Sequence, residues 1–493
     1  MPISGTTLAT IVAGLVVVFG IGLRILALGV IPGNRKPSTG MAWLLAVLLW
    51  PVVGTLLFLV LGRAKLERRR HERQREVNDV IAQRARAVAD QFPDVDLPGY
   101  LPSVVWLNRA LGSLPLLGDN TVELLPDYAD TIRTMAEAVA DAERTVHVEF
   151  YITAWDEMTD PLFSAMTAAT ERGVDVCLLF DHLGSRGIPG YDDMIRRLED
   201  TQIRWHEMLP IAPLRGKIRR PDLRNHRKLM VVDGRVGFTG SLNLTEPGYN
   251  KPKNHAAGRQ WVELMVRVQG PIITALEAVF AQDWFAETEE RLEVHPAPPA
   301  PTPERTAVLG GVACQLVPSG PGYPSENNLR LFTTLIYAAT ERLSITSPYF
   351  VPDESLLYAV TTAAQRGVAV ELFVSEESDQ FMVGHAQASY YRALLEVGVR
   401  IYLYPAPFIL HAKHFTVDDD VAVIGSSNMD MRSFGLNYEI SLMMLGGEVV
   451  EAMRGVQDDY RELSRELTLA EWDQRPPRKK YVDNVMRLTA ALQ

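Results

Sequence analysis

Cysteine is nearly absent. The 493 residues hold only Cys177 and Cys314, far apart and each in an apolar setting. That excludes a disulfide-stapled scaffold and fits reduced, buried thiols. A basic excess is missing too: the net charge is −11, which argues against a general nucleic-acid binder, since such proteins carry a basic balance. Histidine is scarce, and His147, His182, His206, His255 and His385 have no partner at metal-ligand spacing, while His414 faces along or away from its turn. No catalytic metal and no cofactor are therefore expected.

Long apolar runs are confined to the N-terminal region. Residues 8–31 carry one charge, Arg24, and residues 41–61 carry none. Each run is long enough for a bilayer core, which takes about 20 helical residues, and Arg24 lies near the end of its run, where it could snorkel. No basic leader precedes the first run, so a two-helix anchor is the better reading than a cleaved signal. Arg63, Lys65, Arg68, Arg69, Arg70, Arg73 and Arg75 follow the second run, against Arg35 and Lys36 between the two. The positive-inside rule then puts the remainder of the chain in the cytoplasm.

What the chain does contain is a motif written twice. His226-x-Lys228-x4-Asp233 returns as His411-x-Lys413-x4-Asp418, and Gly240-Ser241-Leu242-Asn243 returns as Gly425-Ser426-Ser427-Asn428, with one offset from His to Asn. Such register is the mark of duplication, at a period far longer than a solenoid repeat, and implies two similar lobes. Each motif reads as a strand, a turn and a second strand, so His and Lys, two residues apart, project together. The pair suits phosphodiester transfer without a metal. One imidazole attacks phosphorus, the other protonates the leaving alkoxide, and Lys228 and Lys413 hold the non-bridging oxygens. Ser241, Asn243, Ser426 and Asn428 are expected to bind phosphate. Glu263 and Glu439, one after each copy, could accept from a histidine N–H and fix its tautomer. Asp233 and Asp418 complete the catalytic signature but sit at turns, where orienting the loop is their expected task.

These paired motifs, together with Glu149-Phe150-Tyr151-Ile152, Ser347-Pro348-Tyr349-Phe350 and residues 428–439, resemble the phospholipase D superfamily and, within it, the bacterial cardiolipin synthases of that type. Gly240-Ser241 departs from the two glycines common there. The resemblance implies an α/β fold of two phospholipase D-like lobes, each a mixed sheet flanked by helices, sharing one interfacial active site behind a transmembrane hairpin. It implies transfer of a phosphatidyl group between two phosphatidylglycerol molecules with release of glycerol, with His226 as nucleophile and His411 as general acid. The residues alone permit the reverse assignment. Phosphatidylglycerol and other anionic phospholipids are the expected partners, and no nucleic acid. A hydrolytic phospholipase D, a membrane-anchored nuclease of the superfamily and a scaffold without chemistry are the competing readings; the acidic balance, the anchor and the complete residue set disfavour the last two.

The expected organisation is a hairpin over 1–64, a juxtamembrane helical linker over 65–120, the first lobe over 121–292, a Pro-rich linker over 293–306, the second lobe over 307–465 and a tail over 466–493. Residues 65–91 read as a helical stalk. Lys217, Arg219, Arg220, Arg224 and Arg227 could meet lipid headgroups or form a solvated loop. The tail could touch the membrane surface or pack as a terminal helix.

Overall fold

The computed structural model describes residues 5–33, 37–62, 68–93, 97–211, 222–303, 305, 307–323 and 326–489. The chain separates into two compact units, residues 1–65 and 66–493.

The first unit is three apolar helices: α1 (Gly5–Val30), α2 (Pro37–Leu49) and α3 (Pro51–Leu61). Among the described residues one helical stretch, Ile11–Val30, is both long and apolar enough to cross a membrane. The second apolar run is not the continuous helix expected from sequence. It breaks at Trp50, whose φ of −129° and ψ of 79° lie outside the helical region. Pro51 has no N–H to continue the ladder and its ring pushes the preceding residue out of the α region. Arg24 Nε donates to the Leu48 carbonyl across 3.1 Å, next to that break.

The second unit is built on one continuous sheet of fifteen strands. From its middle, one half runs through Leu117–Leu125, Met265–Gln269, Val236–Gly240, Lys228–Val232, Thr145–Phe150, Asp175–Asp181 and Arg204–Met208. The other runs in the matching order through Val308–Ser319, Glu439–Leu445, Val421–Gly425, His414–Val417, Arg342–Thr346, Ala369–Ser375 and Arg400–Tyr404, with Arg465–Leu467 at the far edge. The two mixed sheets of the duplicated fold are thus fused, through antiparallel pairing of Leu117–Leu125 with Val308–Ser319. The outer strands of each half are parallel, and their helical connections cover the sheet, as parallel pairing requires.

Helices Tyr128–Ala140 and Asp160–Glu171 cover one face of the first half, and Asn327–Ala338, Glu354–Gln365 and Phe381–Glu396 cover the second. On the opposite face Ile272–Thr288 and Gly447–Leu463 pack into a core shared by both halves, in which Cys177 and Cys314 are buried as free thiols. Fully buried side chains such as Phe180 and Phe373 each contribute about 1.5–3 kcal/mol.

Two segments flanking the repeats are docked on them. The segment read as a stalk forms α4 (Arg68–Ala85), which packs on Ile272–Thr288. In the tail, helix Pro477–Arg487 lies on Phe381–Glu396, where Asp483 is buried between His385, 2.6 Å away, and Arg475, 2.7 Å away.

Candidate active site

Each motif leaves its strand at the seam between the repeats. Segment Ile409–Leu410 pairs in parallel with Trp261–Val262, and the His411 amide continues that pairing with a 2.8 Å bond to the Val262 carbonyl. By the same logic the His226 amide donates to the Tyr438 carbonyl at 2.8 Å, and the Tyr438 amide to the Arg224 carbonyl at 2.9 Å. The residue after each partner is a glutamate, so each glutamate meets the histidine of the other repeat. His226 Nδ1 lies 3.0 Å from Glu439 Oε2, and His411 Nδ1 lies 2.7 Å from Glu263 Oε1. With Nδ1 tied to a carboxyl, Nε2 is the nitrogen left for chemistry at each ring.

The lysines stay with their own histidines. Lys228 Nζ donates to the His226 carbonyl at 2.6 Å, and Lys413 Nζ lies 3.0 Å from His411 Nδ1. All four side chains are buried, the histidines 7% and 5% exposed. Burial, reinforced by Lys228, Lys413 and His411, holds the His226 imidazole well below its ordinary range, so it is neutral. His411 is lowered by burial too, but Glu263 opposes the shift. Burial and the neighbouring Lys413 bring Lys228 down to about 7, and burial against the pull of Glu263 leaves Lys413 at about 8. The glutamates differ: burial pushes Glu439 up to about 7, whereas at Glu263 the effect of burial is outweighed by His411 and Lys413, and its pKa falls.

Other expected site residues are employed differently. The Ser241 hydroxyl accepts from the Leu264 amide at 3.0 Å, and that of Ser426 accepts from the Ile440 amide at 3.0 Å and donates to Glu439. The serines therefore fasten the glutamate-bearing segments. The preceding glycines permit this approach: a Cβ at Gly240, with φ of 152°, would lie 2.4 Å from the Leu264 carbonyl oxygen, and one at Gly425 would lie 2.2 Å from that of Ile440. Asn243 is likewise occupied, donating to the Tyr249 hydroxyl at 2.7 Å and accepting from the Ile152 amide at 3.3 Å. Asn428 is buried, and its Oδ1 has no hydrogen-bond partner among the described residues.

Asp233 and Asp418 share the catalytic signature but not the pocket. Asp233 lies five residues beyond Lys228, about 16 Å along a strand. With φ of 54° it makes a tight turn with Gly234, and its carboxylate accepts from the amides of Glu143, Arg144 and Thr145. Asp418, at φ of 45°, does the same for Thr340, Glu341 and Arg342.

Of the basic cluster, Lys217, Arg219 and Arg220 lie outside the described residues, while Arg224 and Arg227 are buried. They pair with Asp181 and Asp283. Tyr151 and Tyr349 carry no role that the motifs predict, yet their rings lie edge-on to His226 at 4.8 Å and His411 at 6.3 Å. Their presence in both repeats, just after equivalent strands, was the available signal. Arg432 adds a further positive charge felt by His226.

The chain is similar to known proteins along nearly its whole length. The family described as cardiolipin synthase, PLD-like domain, matches residues 135–284 and 332–458. The chain is 34% identical over 481 residues to cardiolipin synthase A of Yersinia pseudotuberculosis, covering 96% of each chain. It is 32% identical to cardiolipin synthase A of Pectobacterium carotovorum, covering 97% of this chain and 98% of that one. Its fold is similar to that of phosphatidylserine synthase from Haemophilus influenzae, with a TM-score of 0.58 at 14% identity, over 79% of this chain and 99% of the other. By that family match and by similarity along nearly its whole length, the chain belongs to the phospholipase D-like cardiolipin synthase family.

Proposed function

We propose that the protein is a phosphatidyltransferase that joins two phosphatidylglycerol molecules into cardiolipin and releases glycerol. The observation that carries this reading is the crossed pair of His–Glu contacts, which brings two imidazoles and two lysines from separate repeats into one buried site. The family resemblance of nearly the whole chain supports it.

The unequal surroundings of the histidines support the division of labour. Neutral His226 attacks phosphorus through Nε2; a P–N bond forms and the P–O bond to the glycerol headgroup breaks. His411, above a carboxylate that favours its charged form, gives its proton to the departing glycerol oxygen. A headgroup hydroxyl of the second phosphatidylglycerol then returns a proton to His411, its oxygen bonds to phosphorus, and the P–N bond breaks. Lys228 and Lys413 balance the phosphoryl charge throughout, and an arriving phosphodiester anion raises their pKa values again.

Substrate and anchor agree. Helix α1 supplies one membrane crossing by length and composition, and the apolar pair α2 and α3 completes a hairpin in this reading. The basic flank beyond residue 62 assigns the catalytic repeats to the cytoplasm; protection of the repeats from external protease in sealed spheroplasts is the expected result.

The reaction is tested by incubating the purified full-length chain with phosphatidylglycerol in mixed micelles and following products by mass spectrometry. Cardiolipin and glycerol in equal amounts are expected; phosphatidic acid as the dominant product would instead show hydrolysis.

A further inference from the structure

Helix α4 begins within a few residues of the apolar N-terminal unit, and it docks on the catalytic unit in an unexpected way. Its inward stripe is Arg70, Gln74, Val77, Ile81 and Ala85, at the three- and four-residue spacing of one helix face. The C-terminal part of that stripe is apolar. The N-terminal part is an arginine and a glutamine, 3% and 2% exposed. Burying an arginine beside a glutamate, as Arg70 is beside Glu287, is a poor way to gain stability, because desolvation offsets most of the attraction. Apolar residues would dock the helix equally well. The polar pair therefore needs another explanation.

Both residues converge on Tyr438. The Arg70 guanidinium lies over its ring, 5.4 Å from the centroid, and the Tyr438 hydroxyl donates to Gln74 Oε1 at 3.1 Å. Arg227 flanks the same ring at 5.5 Å. The backbone of Tyr438 is the segment that receives the His226 amide, and the next residue, Glu439, holds the His226 ring. The Gln74 carboxamide also fills space that only a glycine leaves open: a Cβ at Gly322 would lie 1.9 Å from it.

We propose that Arg70 and Gln74 are positioning residues for phosphatidyl transfer, holding through the Tyr438 ring the segment that aligns His226. This rests on the reading of His226 as part of the transfer site. The first helix of the second unit thereby forms part of the support of the catalytic centre.

The test uses full-length protein in phosphatidylglycerol mixed micelles and a double-mutant cycle between Gln74→Met and Tyr438→Phe, each of which removes one end of the same hydrogen bond. Each single variant is expected to lower kcat by about three- to tenfold, since displacement by about 1 Å can cost about 10²-fold, with KM unchanged because the lysines are untouched. The double variant should be no slower than the slower single one. Gly322→Ala, which takes the space of the carboxamide, should reproduce Gln74→Met. Arg73→Ala, on the same helix but paired with Glu289, should retain wild-type kcat. Full kcat in either single variant, losses that multiply in the double, or a change confined to KM would overturn the proposal. If wild-type protein yields phosphatidic acid in place of cardiolipin, the transfer reading fails, and the same cycle on that turnover still tests positioning.

Discussion

Beneath His411 lies Glu263, whose pKa falls in the company of His411 and Lys413; beneath His226 lies Glu439, pushed up by burial to about 7. The first of these favours an imidazolium above it, and the second leaves its imidazole neutral. Duplication supplied two copies of one histidine-lysine unit, and in the proposed mechanism their unequal surroundings make one a nucleophile and the other an acid. Crossing the glutamates between repeats has a further effect: neither repeat can align its own histidine alone.

Several measurements would break or sharpen that contrast. The largest effect is expected for His226→Ala, which should lower kcat by about 10⁴-fold or more by removing the covalent route. His411→Asn should cost about 10²–10⁴-fold, the usual contribution of a general acid. The glutamates should then separate. Glu263→Gln removes a charge on which the imidazolium depends and should lower kcat by about 10²-fold, whereas Glu439, with a pKa of about 7, is only partly ionised at neutral pH, and Glu439→Gln should cost less than about tenfold. Steady-state kinetics on all four would show the ranking, and equal losses at the two glutamates would end the proposed asymmetry.

The pH profile has a definite sign. Ordinary lysines stay charged to about pH 10, but Lys228 and Lys413, lowered to about 7 and 8, lose their protons as pH rises through that range. For the free enzyme, kcat/KM should therefore fall on the alkaline side with apparent pKa values between about 7 and 8. A profile flat to pH 9 would contradict the depressed lysines. The smallest effect on chemistry is expected for Asp418→Asn. Its carboxylate accepts backbone bonds far from phosphorus, so the variant should lose about 1–3 kcal/mol of stability, seen as a lower Tm, with kcat nearly unchanged.

Much of the site was legible because its residue types are dictated by chemistry: the repeated His and Lys, and a glutamate after each copy. What escaped was whatever depended on partners distant in sequence. Glu263 follows the first motif, and only the pairing of Trp261–Val262 with Ile409–Leu410 sends it to His411. Arg224 and Arg227 look like solvated charge until strands and helices bring Asp181 and Asp283 to them. The serines look like phosphate ligands because a hydroxyl's direction is not written in its neighbours; the close approach at Gly240 and Gly425 turns them toward the next strand. Unbroken apolar composition predicts one helix over residues 41–61, but the local sterics of Pro51 prevail and break it at Trp50. Two similar lobes followed from the duplication and their α/β class from the family resemblance, but fusion into one sheet rests on the pairing of Leu117–Leu125 with Val308–Ser319, which no motif marks.

The central claim is that phosphorus passes through a bond to His226. Enzyme mixed with phosphatidylglycerol labelled at its phosphodiester, quenched within milliseconds in alkaline denaturant to preserve phosphohistidine, and digested for peptide mapping tests it directly. The account predicts label on the peptide containing His226; label on the His411 peptide alone would contradict it.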